Sequence, residues 1–278
     1  MPANAELPSL VFRGDMRYGN LHEHGANLSL RSDEPLNSCT FIFVPVLMNA
    51  FRHIFFDLDH TLWDFEQNSQ ETLSELFYEL NLGDRGIPSA EVFHVTYRRL
   101  NRHYWDLYER GLMKREELRH IRFRSTLKEF QIEDDFLAGT LSETYLNKLP
   151  DKTNLIRDAI EVLEYLRKKY SLHIITNGFE VVQKKKIHRT GLNSFFTLIV
   201  TSEGAGFQKP NKEIFEYALE LAGAKPMESI FIGDSIEADI KGALAAGIEP
   251  VYFNPERFPH EENIAREIHE LNELKTFL

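Results

Sequence analysis

The stretch Phe55-Phe56-Asp57-Leu58-Asp59-His60-Thr61-Leu62 decides the fold. It closes a largely apolar and aromatic run, Arg52 to Phe56, that reads as a buried strand. That strand leads into two aspartates placed two residues apart. Side chains at i and i+2 of a strand point the same way, so a turn at Asp59 can aim both carboxylates into one crevice. Like charges buried together repel, and a divalent cation is the usual partner for carboxylates at a strand end. Thr61 adds a hydroxyl able to accept or donate beside a phosphate. The competing reading is an ordinary strand followed by an acidic turn.

The 278 residues suit one or two domains with a large core. Apolar and charged fractions of 42% and 27% are those of an ordinary globular protein. The 32 basic and 43 acidic residues give a net charge of −11, which argues against nucleic-acid binding through a basic surface. An anionic substrate then needs local positive charge or a metal. Cys39 is the single cysteine, so no intrachain disulfide can form, and a reducing compartment, the cytoplasm, is expected. No apolar run approaches the roughly 20 residues of a membrane-spanning helix. Thr40 to Met48 is apolar but short, lacks a basic segment before it, and makes a poor signal peptide.

Residues 1–49 are rich in Asn, Ser, Gly and Pro without a clear period and are expected to form a poorly ordered extension. Met48, just before the first strand, is the expected native start, with a leader or a mis-called start upstream. His22 and His24 flank Glu23 without the i, i+4 spacing of a helical zinc site. After Leu62 the apolar period becomes helical. Helices are expected at Gln67–Leu82, Ala90–Arg110, Lys114–Phe130 and Asp134–Leu149, with no strand between them. From Asn154, helix and strand alternate as in a parallel sheet. The expected order is helix Leu155–Lys169, strand Leu172–Thr176, helix Glu180–Thr190, strand Leu198–Thr201, helix Lys212–Leu221 and strand Ser229–Ile232. Helix Ala238–Ala246, strand Pro250–Phe253 and a last helix Glu261–Leu274 complete it. The expected class is α/β: a Rossmann-like parallel sheet with helices on both faces, from residues 50–64 and 150–278. An inserted all-α block at 65–149 lies over the carboxyl end of the first strand, where such sheets bind ligands.

Four strand ends carry polar groups, and their agreement is more specific than any one of them. The first is Asp57 with Asp59. The second is Thr176-Asn177-Gly178, a hydroxyl and backbone amides leading into a helix, suited to a phosphate. The third is Lys209-Pro210, where Pro210 suits a first helical turn and Lys209 can present an ammonium. The fourth is Gly233-Asp234, with Asp239 in the following helix. An acid at a buried strand end is costly unless paired or metal-bound. Taken alone, Thr-Asn-Gly is a common turn, Lys-Pro carries little information, and Asp234 can simply cap a helix.

Asp57-Leu58-Asp59-His60-Thr61, Thr176-Asn177-Gly178, Lys209-Pro210 and Gly233-Asp234-Ser235 through Asp239 together resemble the haloacid dehalogenase-like hydrolase superfamily. The resemblance covers Arg52 to the C-terminus, and the helical block resembles that family's cap. Ile175-Thr176-Asn177-Gly178-Phe179, Lys209-Pro210-Asn211-Lys212-Glu213-Ile214-Phe215 and Ile232-Gly233-Asp234 are similar to its nucleoside 5′-monophosphate phosphatases, which include enzymes acting on non-canonical pyrimidine nucleotides. The resemblance implies Asp57 as nucleophile and Asp59 as general acid/base. It implies Mg²⁺ held by Asp57, Asp234 and the backbone carbonyl of Asp59, and an aspartyl-phosphate intermediate. Thr61, Thr176, Asn177 and Lys209 are the expected phosphate ligands. Asp239 either orients Lys209 or a metal-bound water, or is a helix-start acid favoured by the dipole.

Asp59 also sets the chain apart from the dehalogenases, which attack carbon and need no acid two residues after the nucleophile. In the cap, Asn101, Trp105, Tyr108 and Arg122 resemble substrate positions, against the plainer reading of aromatics packed at helical spacing. Asp64 and Asn68 can line the same opening. Lys184-Lys185-Lys186 with Arg189 reads as a solvated helix face, with a phosphate-attracting patch as the alternative. The expected partner is a small phosphorylated metabolite, a nucleotide first, without nucleic acid or membrane, and the protein is expected to be a monomer or homodimer. Phosphoglycolate-type phosphatase, sugar phosphomutase and non-catalytic binding module are the competing readings.

Overall fold

The computed structural model describes residues 51–278. The expectations for the N-terminal extension, Met48, Cys39, His22, Glu23 and His24 lie outside the described residues. Strand β1 (His53–Phe56) is followed by four helices, α1 (Phe65–Glu79), α2 (Ala90–Glu109), α3 (Arg115–Glu129) and α4 (Asp135–Lys148). The chain then alternates through α5 (Ala159–Leu166), β2 (Ser171–Thr176), α6 (Glu180–Arg189), β3 (Leu198–Thr201), α7 (Ser202–Ala205), α8 (Lys212–Ala222) and β4 (Ser229–Gly233). A π-helical turn at Ile236–Lys241 runs into α9 (Gly242–Ala245), followed by β5 (Glu249–Phe253) and β6 (Glu267–Ile268). The six strands pair in parallel in the order β3-β2-β1-β4-β5-β6. Central β1 has β2 on one side and β4 on the other, so their carboxyl ends open side by side.

The alternation inside each strand builds two separate cores. Ile54, Phe56, Ile174, Ile230 and Ile232 face α5 and α6 through Val162, Leu163 and Ile187. Phe55, Ile175 and Phe231 face α8 and α9 through Ile214, Phe215 and Ala243. The sheet is thus covered by helices on both faces, with the all-α block inserted between β1 and β2, as the sequence implied. Helix boundaries move where side chains cap. Asp64 accepts from the Gln67 amide at 3.0 Å and starts α1 earlier than expected. The helix expected from Leu155 begins only at Ala159. The residues ahead of it bridge back to the first motif, Ile156 N–H donating to the Leu62 carbonyl at 2.9 Å.

The last expected helix does not form. Ile268 lies in β6 beside Phe253, and Leu271 and Leu274 sit on a 3₁₀ turn at Leu271–Thr276. Asn254 holds the intervening loop, donating to the Phe258 carbonyl and Glu267, while its own amide bonds the Ile268 carbonyl. Apolar spacing there satisfies two different elements, and strand pairing prevails over helical propensity.

A histidine pair on the neighbouring strands β1 and β2 is expected to make folding sensitive to acid. His173 is 2% exposed, stacks on Phe55 at 4.6 Å, and its Nε2 lies 3.1 Å from His53 Nδ1. Burial, then the neighbouring His53, push the His173 pKa down to about 4. The folded protein therefore keeps this ring neutral while the unfolded chain takes up a proton. Stability is lost as pH falls from about 6.5 to about 4, by at most ~3 kcal/mol for this residue. Urea midpoints at pH 7 and 4.5 should show that drop shrinking in His173→Gln; an equal drop in both proteins would reject it.

Candidate active site

The tight turn after β1 folds the first motif onto itself. His60 has φ 63° and its N–H donates to the Trp63 carbonyl at 2.9 Å. Asp57 leaves β1 with its N–H bonded to the Ile232 carbonyl of β4 at 2.9 Å. That register sets the carboxylate of Asp57 beside the end of β4, where Asp234 follows. Ligand atoms of Asp57, Asp234 and Asp239 all lie within 4.8 Å of one another. Lys209 Nζ donates to Asp57 at 2.5 Å and to Asp239 at 2.6 Å. Asp239 also accepts from the Ser235 amide at 3.0 Å, and Gly233 lets it approach, because a Cβ there would meet Asp239 at 2.3 Å.

The charges do not balance. Fully ionised, the three carboxylates beside one ammonium would carry two unpaired negative charges. Burial, with Asp239 and Asp234 adding to it against Lys209, holds Asp57 well above the usual carboxylate range. Burial and Asp239 do the same to Asp234, whose Oδ1 accepts from the Thr61 hydroxyl at 3.3 Å. Lys209 is buried at 2% exposure; burial opposes its charge, but Asp239 and Asp57 outweigh that and raise its pKa. A largely buried cluster of carboxylate oxygens fits a hard divalent cation.

The phosphate-ligand candidates of β2 and the lysine loop are locked together. Asn177 accepts from the Lys209 amide at 2.8 Å and donates to the Lys209 carbonyl at 3.0 Å. The Thr176 hydroxyl accepts from Gln183 Nε2 at 2.7 Å. Asp59 is not with the other acids. Its carboxylate accepts from Lys186 Nζ at 2.6 Å and from Gln183 Nε2 at 2.8 Å. Only its backbone carbonyl is left for the ligand role implied by the resemblance.

Several expectations need correction. The run Lys184-Lys185-Lys186 is not one solvated face. Lys184 pairs with Glu180, while Lys185 and Arg189 pair with Asp151 at 2.8 and 2.9 Å, but Lys186 is 2% exposed. Helical spacing separates them, since Gln183, Lys186 and Ile187 share the buried face of α6. That spacing was readable; the uniform charge of the run concealed it. Asp64 caps α1, and buried Asn68 is bound to Asn154 at 2.7–3.1 Å.

The cap candidates divide as well. Arg122 Nη1 donates to Asn101 Oδ1 at 2.9 Å and its Nε to the Leu118 carbonyl at 3.0 Å, both side chains being buried among the helices. Trp105 lies 5.5 Å from Tyr108 and 5.9 Å from Phe179, so it joins the helical block to the start of α6. Glu109, which sequence reasoning passed over, reaches from the end of α2 to Asn177 Nδ2 at 3.4 Å. Burial raises it to about 7, with Lys209 opposing and Asp239 adding.

A carboxylate pair on one strand end, a distant acid on the next and a lysine between them thus share one edge of the sheet. The haloacid dehalogenase-like hydrolase family model matches residues 51–247, and the chain belongs to that family. It is 35% identical to the HAD-hydrolase YfnB of Bacillus subtilis over 82% of this chain and 95% of that protein. It is 34% identical to the pyrimidine 5′-nucleotidase YjjG of Escherichia coli, over 80% and 96%. The crystal structure of YfnB, described as bound to magnesium and showing interdomain movement, superposes with a TM-score of 0.74 at 34% identity, covering 82% of this chain and 98% of that one.

Proposed function

We propose that the chain is a Mg²⁺-dependent phosphatase of small phosphate monoesters, with pyrimidine nucleoside 5′-monophosphates as the leading substrates. The observation that carries this reading is the gathering of Asp57, Asp234 and Asp239 around Lys209, with a second carboxylate, Asp59, held separately at the same strand end. The names of YjjG and of PynA from Streptococcus pneumoniae, both pyrimidine 5′-nucleotidases, support the substrate class. In this scheme residues 50–64 and 150–278 form the catalytic core and 65–149 the cap, and the cytoplasm is its compartment.

An Asp57 oxygen attacks phosphorus, the ester P–O bond breaks, and protonated Asp59 gives its proton to the departing oxygen. Water then attacks the aspartyl-phosphate, Asp59 takes the water's proton, and the bond from Asp57 to phosphorus breaks to release phosphate. Asp57, Asp234 and the Asp59 carbonyl would hold Mg²⁺, which would neutralise charge between carboxylate and phosphate. Thr61, Thr176, the Asn177 amide and Lys209 carry the equatorial oxygens, with Asp239 orienting Lys209.

A second reading has support of its own. The ribulose-1,5-bisphosphate 5-phosphatase of Halopiger xanaduensis is 30% identical over 73% of this chain. That leaves a sugar-phosphate phosphatase, or a phosphoglycolate-type enzyme, as the competitor. A panel of nucleotides and sugar phosphates, assayed for free phosphate with Mg²⁺ and with chelator, should give release only with the metal and fastest from pyrimidine monophosphates. Fastest release from a sugar phosphate would establish the second reading, and no release from any ester would reject both.

A further inference from the structure

Lys186 is a buried cation that the catalytic scheme leaves unused. It comes from α6, which follows the Thr176-Asn177-Gly178 turn, and its Nζ lies 2.6 Å from Asp59 Oδ1. The ammonium sits 4.1 Å from the Trp63 ring centroid and 5.6 Å from that of Phe65, so two aromatic rings flank it. Burial lowers its pKa and Asp59 opposes that fall. Among the described residues Asp59 is the one carboxylate within ion-pair reach. Gln183, one turn earlier on the same face, holds the other Asp59 oxygen at 2.8 Å and the Thr176 hydroxyl at 2.7 Å. Both oxygens of Asp59 are therefore fixed by a single helix, and that helix also fixes the Thr176 hydroxyl.

We propose that Lys186 is a positioning residue that orients the Asp59 carboxylate for both proton transfers. The proposal rests on the reading of Asp59 as general acid/base. A burial role alone would hold α6 against Trp63 without regard to which side chain stands at position 59. A positioning role acts through Asp59 and vanishes when Asp59 is gone. Methionine at 186 keeps an unbranched stem for the Trp63 ring and removes only the donor.

The test is a double-mutant cycle on the full chain, with the ester that the unaltered protein hydrolyses fastest. Lys186→Met is expected to lower kcat by about 10- to 100-fold with KM changed less than about threefold. Added to Asp59→Asn, it should lower kcat by less than about twofold more. Losses that multiply in the double variant would overturn the proposal, as would Lys186→Met with unchanged kcat. An Asp59→Asn protein of unchanged kcat would instead overturn the acid/base reading, and this proposal with it. Should Lys186→Met fail to fold, Lys186→Gln, which drops the charge and shortens the side chain, enters the same cycle with the same criteria.

Discussion

Asp57→Asn is expected to cut phosphate-ester turnover by at least about 10⁴-fold while leaving the fold in place. The amide keeps the shape of the carboxylate but has no anionic oxygen to attack phosphorus. Folding should survive, because Lys209 retains Asp239 as a partner at 2.6 Å and the Asp57 backbone keeps its bond to Ile232. Phosphate release measured beside a circular dichroism spectrum separates the two effects. Native-like spectra with turnover near that of the unaltered protein would remove Asp57 from the nucleophile role.

Lys209→Met is expected to have the largest effect on stability. It leaves Asp57 and Asp239 buried without their shared ammonium, and breaking such a pair from one side costs about 3–5 kcal/mol. Proton uptake by the freed carboxylates offsets part of that cost, so the loss should be smaller at pH 5 than at pH 8. Turnover should fall by about 10²- to 10³-fold, since a donor to the phosphate oxygens is gone. Urea unfolding without added Mg²⁺ measures the first effect. A variant as stable as the unaltered protein at pH 8 would show that the three carboxylates are not held as an ion cluster.

Much of this was legible in the chain because the strands are short, apolar and end in chemistry. Phe55-Phe56-Asp57, Ile174-Ile175-Thr176 and Ile230-Phe231-Ile232-Gly233-Asp234 each carry a buried run straight into a polar group. Parallel pairing through β1 then has little choice but to gather those groups at one edge. Direction of a side chain was less legible than its position. Nothing local says that Asp59 turns toward α6 while Asp57 turns toward Lys209; that depends on Lys186 and Gln183, more than 120 residues away. The same limit applies to Asn101 and Arg122, whose resemblance to cap positions suggested substrate but whose geometry pairs them with each other. At the C-terminus, spacing alone could not decide between a helix and a strand followed by a 3₁₀ turn, because the deciding bonds come from Asn254 and β5.

The helical block leaves and re-enters the sheet domain at a single place. Trp63 bridges Leu155 in antiparallel fashion, the Asp64 N–H donates to the Asn154 carbonyl at 3.1 Å, and Asn68 clasps Asn154 from inside α1. Outgoing and returning segments are thus laced into one narrow stalk. A chain inserted through such a stalk adds almost no loop-closure demand to its host, so the four helices form a cassette whose length and contents can drift while the strand edge beneath keeps its geometry.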